Sequence, residues 1–198
     1  MPRCVYVEEE GVSGRSRRFD AAMSGNVSSR APSPRRTSLR MSFSDRLWIM
    51  VDVETTGPVY GTHCMTELGA AVGSRARGVI DRFEALLTPS SDEVRTSRTS
   101  YERALREGVA PALAMGRFRD WTAPHLAAGA TFIARPAAFD WPWIVHTAWR
   151  HLGENPFGFK AVCASSWFEA RGRRFDVRLP HVAVRDAEIQ LQHFLAHG

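Results

Sequence analysis

The stretch Leu47-Trp48-Ile49-Met50-Val51-Asp52-Val53-Glu54-Thr55-Thr56-Gly57 constrains this chain more than any other. Its unbroken apolar run from Leu47 to Val53 reads as a strand buried on both faces, yet the strand ends in two carboxylates. Side chains alternate along a strand, so Asp52 and Glu54 point to the same side. Two like charges about 4 Å apart repel by roughly 1 kcal/mol in water and roughly 4 kcal/mol at an effective dielectric of 20. A divalent cation removes that penalty, and hard cations such as Mg²⁺ take oxygen ligands from one or two carboxylates together with substrate phosphates. A metal site at a strand end is therefore the first expectation, with its remaining ligands to be found elsewhere in the chain.

The pattern around this strand predicts an α/β fold. Gly57, Pro58 and Gly61 mark a turn, Met65 to Val72 reads as a second strand, and Val79 to Leu87 as a third, giving an antiparallel meander. Thr99-Ser100-Tyr101-Glu102 fits a capping box that starts a helix running to about Glu107. A second helix is predicted from Pro111 to near Trp121, with Leu113, Phe118 and Trp121 on its apolar side and Pro124 disturbing its end. Ala130 to Ala134 reads as a short strand. Trp143, Ile144, Thr147 and Ala148 then recur at helical spacing until Gly153. Phe159 to Ala164 reads as one more strand, and a closing helix within His181 to His197 buries Val184, Ala187, Leu191, Phe194 and Leu195. Strands followed by alternating helix and strand imply helices packed on a mixed sheet.

At 198 residues and 44% hydrophobic content the chain can build one substantial core. Residues 1–41 are rich in Ser, Arg, Gly and Pro and are read as a disordered basic extension, leaving 42–198 as the folded domain. That extension is a nucleic-acid-binding arm, a targeting segment, or a non-functional leader upstream of Met41, the last being favoured because Glu8-Glu9-Glu10 does not suit an acid-poor transit peptide. Residues 1–44 hold eight Arg and four acids, so most of the formal +5 charge lies there and the folded part is nearly neutral. Cys4, Cys64 and Cys163 are far apart and form no Cys-x-x-Cys pair, as in a reduced intracellular protein. No apolar run approaches the roughly 18 residues of a membrane span, so a cytoplasmic protein without membrane contact is expected.

Two further acids sit at predicted element ends, where sites are usually built. Asp140 opens a helix after a short strand, and Asp186 lies near the start of the last helix. Acids placed this way can bridge two Mg²⁺ ions about 3.5–4 Å apart, the arrangement that hydrolyses phosphodiesters. His181 is the candidate general base. Five residues on a helix are separated by about 140°, so His181 can converge with Asp186 only from a loop or first turn, which the preceding Pro180 favours.

Asp52-Val53-Glu54-Thr55-Thr56-Gly57, Ala137-Ala138-Phe139-Asp140 and His181-Val182-Ala183-Val184-Arg185-Asp186-Ala187 resemble, in order and spacing, the three motifs of the DEDDh 3′→5′ exonucleases. The likeness covers residues 46–197, and Pro136 to Trp141 with Gly153 to Phe159 resemble in particular a bacterial exoribonuclease-like branch. It implies a ribonuclease H-like fold with a five-stranded mixed sheet in the order 3-2-1-4-5. It also implies Asp52, Glu54, Asp140 and Asp186 as ligands of two Mg²⁺ or Mn²⁺ ions, His181 as base, and release of nucleoside 5′-monophosphates from a single-stranded RNA or DNA 3′ end, RNA slightly favoured. A homodimer is consistent with the family.

Two positions depart from the pattern. Arg135-Pro136 stands where many relatives have His-Asn, and Arg185 stands where many have an acid. Arg185 either faces solvent, the favoured reading, or approaches a phosphate. Thr55 and Thr56 are candidate contacts for the 3′ end or simply part of the strand-ending turn. Trp141 could stack on a base, as aromatic side chains do for about 1–3 kcal/mol, or fill the core, where Trp143 is expected. Glu67 is expected to be structural, Arg95 and Arg98 solvated, and His63, His125, His146, His151, His193 and His197 surface or capping residues. The alternatives to an RNA-directed exonuclease are a DNA-directed one, a non-catalytic nucleic-acid-binding relative, or an internal nuclease of ribonuclease H type.

Overall fold

In the computed structural model, the described residues are 44–90 and 101–198. The extension over 1–41, the Thr99-Ser100 cap, Arg95 and Arg98 lie outside them. The chain runs β1 (Trp48–Thr55), β2 (Met65–Ser74), β3 (Gly78–Leu86), α1 (Tyr101–Glu107), α2 (Pro111–Ala127), β4 (Thr131–Ala134), α3 (Ala137–Leu152), β5 (Ala161–Cys163), α4 (Ala164–Glu169) and α5 (Ala183–His197). The strands form one sheet in the order β3-β2-β1-β4-β5, the expected α/β arrangement. β1, β2 and β3 are antiparallel neighbours, while β4 and β5 join β1 in parallel.

Central position explains why β1 is apolar on both faces. Ile49, Val51 and Val53 face a cluster with Phe118 of α2, Trp143 and Ile144 of α3, and Phe157. Trp48 and Met50 face a second cluster with Phe168 of α4, Phe175, and Leu191 and Phe194 of α5. Each of these buried side chains contributes about 1.5–3 kcal/mol, so the strand is held from both sides. The even-numbered series continues into Asp52 and Glu54, which places both carboxylates toward α5.

Three elements differ from the sequence expectation. α2 continues past Pro124 to Ala127, because the proline forfeits only its own donor while its carbonyl still accepts the Ala128 N–H at 3.1 Å. Its buried side is Ala114, Met115, Phe118 and Thr122, with Leu113 exposed, so Ala114 and Met115 rather than Leu113 meet the sheet layer alongside the expected Phe118. The last strand is shorter than the predicted 159–164, since Ala164 opens α4, whose six residues are too few to display a helical period. α3 ends as expected, with Gly153 at φ 72° and its N–H donating to the Trp149 carbonyl.

α5 crosses β2 at Gly69, which pairs with Asp52 of β1. A Cβ at Gly69 would overlap the backbone of Ala183 and Val184 in the first turn of α5. Gly69→Ala is therefore expected to lower stability by at least about 1–3 kcal/mol, the usual range for overpacking, as read by urea unfolding. An unchanged midpoint would show that α5 does not rest on this strand.

Candidate active site

Asp52 and Glu54 stand at the carboxyl end of β1, and α3 and α5 bring the other acids to them. β4 pairs with β1 only as far as Val51, opposite Ala134, so the next outward donor of β1 has no strand partner. Asp140, in the first turn of α3, fills that place: its Oδ1 accepts the Val53 N–H at 3.3 Å. From the other face, Gln190 of α5 donates through Nε2 to Asp52 Oδ1 at 2.7 Å. Asp186 lies one turn before Gln190, also buried.

His181 sits in the loop two residues before α5, as its spacing from Asp186 requires. Its N–H donates to Asp186 Oδ2 at 3.1 Å, and its φ of 59° is a left-handed conformation seldom held by a residue other than glycine. The imidazole is 77% exposed, with Nδ1 4.0 Å from Glu54 Oε1. Ligand atoms of Glu54, His181 and Asp186 all lie within 4.8 Å of one another. Glu67, opposite Glu54 on β2, accepts the Ala183 N–H at 3.3 Å through Oε2, and its Oε1 is 3.5 Å from the Arg103 guanidinium. It thereby ties the start of α5 to the sheet, in keeping with the structural role expected for it.

This crowding works against ionisation. Burial pushes the Asp52 carboxyl well above its ordinary range, and the neighbouring Asp140 and Asp186 push it further, against the Gln190 hydrogen bond. Burial raises Asp140 to about 7 despite the Val53 N–H. Asp186 is raised by burial, and Glu54 by burial and then by Glu67. Asp140 Oδ2 and Asp186 Oδ1 are buried with no hydrogen-bond partner among the described residues. Paired acids, unpartnered buried oxygens and raised carboxyl groups are the donor set a hard divalent cation fits, since its charge would favour the ionised forms.

Thr55, the last residue of β1, and Thr56, which follows it, are both buried. Thr55 Oγ1 donates to the Gly57 carbonyl at 2.8 Å, and Thr56 Oγ1 accepts the Cys64 N–H at 3.0 Å. Trp141 is half-buried against Phe132, ring centroids 4.8 Å apart, and Trp143 is in the core as expected. Arg135 is held away from the acids, donating to the Phe175 carbonyl at 2.8 Å and lying 4.8 Å over that ring. Arg185 is exposed, in the setting favoured for it. Of the histidines expected at the surface or in caps, His63 is instead buried, its ring beside the Val59 N–H. A cavity of about 320 Å³ lies beyond Asp140 along α3, lined by His63, Leu87, Trp143, His146 and Arg150 among others, and none of the four carboxylates lines it.

Sequence reasoning missed Gln190. The available signal was a polar residue four positions after Asp186, in phase with the buried stripe of α5.

No family model matches the chain. Over 135 residues it is 30% identical to the 3′-5′ DNA exonuclease Cap18 of Escherichia coli, covering 65% of this chain and 71% of that protein. Its fold is similar to the nuclease domain of 3′hExo, a DEDDh family member bound to rAMP, at TM-score 0.57 and 12% identity over 76% of this chain and 90% of that one. It is also similar to exonuclease I of E. coli in complex with a 5cy-dA13 oligonucleotide, at TM-score 0.60 and 12% identity, covering 76% of this chain and 39% of that longer one.

The raised carboxyl groups fix the sign of a pH effect on the metal-free protein. Burial raises the Asp140 carboxyl from its ordinary range near 4 to about 7 in the folded protein, so its contribution is fully present below about pH 4 and is lost as pH rises through about 7. In EDTA the protein should therefore melt at a higher temperature at pH 5.5 than at pH 8, with Asp140→Asn raising stability at pH 8 by more than about 1 kcal/mol, roughly one pKa unit of free energy. A melting temperature that rises between those pH values, or an Asp140→Asn protein no more stable than wild type at pH 8, would count against the buried acid cluster.

Proposed function

The chain belongs to the DEDDh 3′→5′ exonuclease family, and from that premise we propose that it removes nucleotides one at a time from the 3′ end of single-stranded nucleic acid in a divalent-metal-dependent hydrolysis. The observation that carries this reading is the convergence of Asp52, Glu54, Asp140 and Asp186 from β1, α3 and α5 with His181 beside them. DNA is the proposed substrate, because the relative at 30% identity is a DNA exonuclease; it takes precedence over the RNA preference expected from the branch likeness.

The four acids would hold two Mg²⁺ or Mn²⁺ ions, whose charge offsets the carboxylates and the scissile phosphate and makes water a better nucleophile at neutral pH. The chain's own part is positioning and proton transfer. Gln190 fixes one oxygen of Asp52, and the Val53 N–H fixes one oxygen of Asp140, so each acid presents its other oxygen in a set direction. His181, exposed and held by the Asp186–backbone contact, takes a proton from the attacking water at an imidazole nitrogen and returns it to solvent. The leaving 3′ oxygen is then protonated, and a nucleoside 5′-monophosphate departs. Thr55 and Thr56 act by shaping the turn against which the 3′ end lies, with Trp141 beside it.

Asp52→Ala and Asp186→Ala are expected to abolish Mg²⁺-dependent release of mononucleotides from 5′-labelled oligomers, and His181→Ala to slow it by about 10²–10⁴-fold, the usual contribution of a general base. Parallel DNA and RNA ladders in Mg²⁺, Mn²⁺ and EDTA check the sugar preference. Cleavage that survives EDTA, or products other than mononucleotides, would sink the proposal, and metal binding without any product would favour a non-catalytic relative.

A further inference from the structure

The folded part of the chain carries almost no net charge, so a surface built for a polyanion has to be local. The segment from Arg171 to Arg178, between α4 and α5, holds four arginines and one acid. That stretch is more positive than residues 45–198 taken together. Two other arginines near the site are neutralised: Arg82 pairs with Glu188, and Arg103 lies against Glu67, Glu84 and Glu107. We propose that residues 174–178 form a track for the phosphate backbone of a single strand, in which Arg174 and Arg178 hold nucleotides lying 5′ of the one removed.

The segment is held in place as a surface. Its burial alternates: Phe175 is buried, Val177 and Leu179 are half-buried, and Arg174, Asp176 and Arg178 are exposed. Side chains of extended backbone alternate in this way, so both arginines share the outer side. Phe175 packs against Phe168 of α4 and His193 of α5, with ring centroids 4.9 and 4.7 Å away. Arg135 clamps the same residue, its guanidinium over the Phe175 ring and its Nη2 donating to the Phe175 carbonyl at 2.8 Å. Arg171 and Arg173 are engaged by the Trp167 and His197 carbonyls, whereas Arg174 and Arg178 make no hydrogen bond or ion pair among the described residues.

The course of the segment leads to the acids. Arg135 follows β4 directly, and the β4 ladder ends opposite Val51, one residue before Asp52. Phe175 is therefore fixed at the carboxyl end of the sheet, while His181 lies beside Glu54. The residues between them form a rim running from the β4 side of the site to the β1 side. At no more than about 3.6 Å per residue, Arg178 stands within about 11 Å of His181, and Arg174 within about 14 Å of Arg178. The direction of the strand rests on the exonuclease reading proposed above: with the 3′ end at the acids, the nucleotides behind it meet Arg178 first and Arg174 next. Arginine suits this task, because its planar fork holds phosphate oxygens by charge and by paired hydrogen bonds. Asp176, between the two, is the one group on that outer side that repels a phosphate.

The test measures binding without turnover, as the fluorescence anisotropy of a labelled single-stranded DNA oligomer, long enough to span both arginines, on the full chain in EDTA over a series of salt concentrations. The protein carrying Arg174→Ala and Arg178→Ala should bind at least about tenfold more weakly, as losing charge-assisted hydrogen bonds does. The dependence of its log Kd on log salt should be shallower by about 1.4, at about 0.7 per single-strand phosphate contact. Asp176→Asn should bind more tightly, a change that misfolding does not mimic. Arg77→Ala with Arg117→Ala removes the same charge from the exposed β2–β3 turn, at the opposite end of the sheet, and from α2, and should keep the wild-type affinity and slope. Affinity and slope retained without Arg174 and Arg178, lost equally without Arg77 and Arg117, or an Asp176→Asn protein that binds no more tightly, would overturn the track. A wild type whose binding depends on Arg174 and Arg178 yet releases no mononucleotide with Mg²⁺ or Mn²⁺ would overturn the exonuclease proposal and leave the track standing.

Discussion

The first turn of α5 lies directly on the backbone of β2, and the site depends on that contact. Only glycine at position 69 allows it, since a side chain there would occupy the place of Ala183 and Val184. Because Gly69 pairs with Asp52, the helix is pressed against the sheet at the level of the first carboxylate. Asp186 and Gln190, one turn apart on α5, are thereby delivered to β1, and His181, just upstream, to Glu54. Glu67 secures the same junction by accepting the Ala183 N–H.

The assembly is poorly suited to exist without positive charge. Its acids are crowded, buried and raised toward their neutral forms, with lone oxygens facing no donor among the described residues. Most folds avoid such a cluster, because unpaired buried charge is strongly destabilising. Here two apolar clusters, one on each face of β1, supply the stability that lets the strand end in carboxylates. Local electrostatic disfavour and global packing thus belong to one design, in which the strand is held by its interior and left unsatisfied at its tip.

Much of this was legible in the residues. An apolar run ending in Asp52 and Glu54 could be read as a central strand, and the sheet order followed from the motif resemblance. His181 could be assigned to a loop or first turn from its five-residue offset and the preceding Pro180. What escaped reading was what depends on tertiary partners. Gln190 is one polar residue on an amphipathic helix until α5 is laid against Asp52. α4 is too short to carry a period, and Leu113 looked buried because periodicity does not say which of two adjacent phases meets the core. The Thr55 and Thr56 hydroxyls are engaged within their own turn, an engagement that a motif does not reveal.

The brevity of β4 has a consequence for how this fold can vary. Its ladder with β1 ends at Ala134, and the Val53 N–H that a longer strand would claim is taken by Asp140 instead. Only Arg135 and Pro136 separate that strand from α3. An insertion at this junction would either extend the ladder and evict Asp140 from its anchor or carry the helix start away from β1. The opposite ends of the same elements face no such accounting, so length variation among descendants of this chain should collect at the Gly129 and Gly153 turns and be purged from the two residues between β4 and α3.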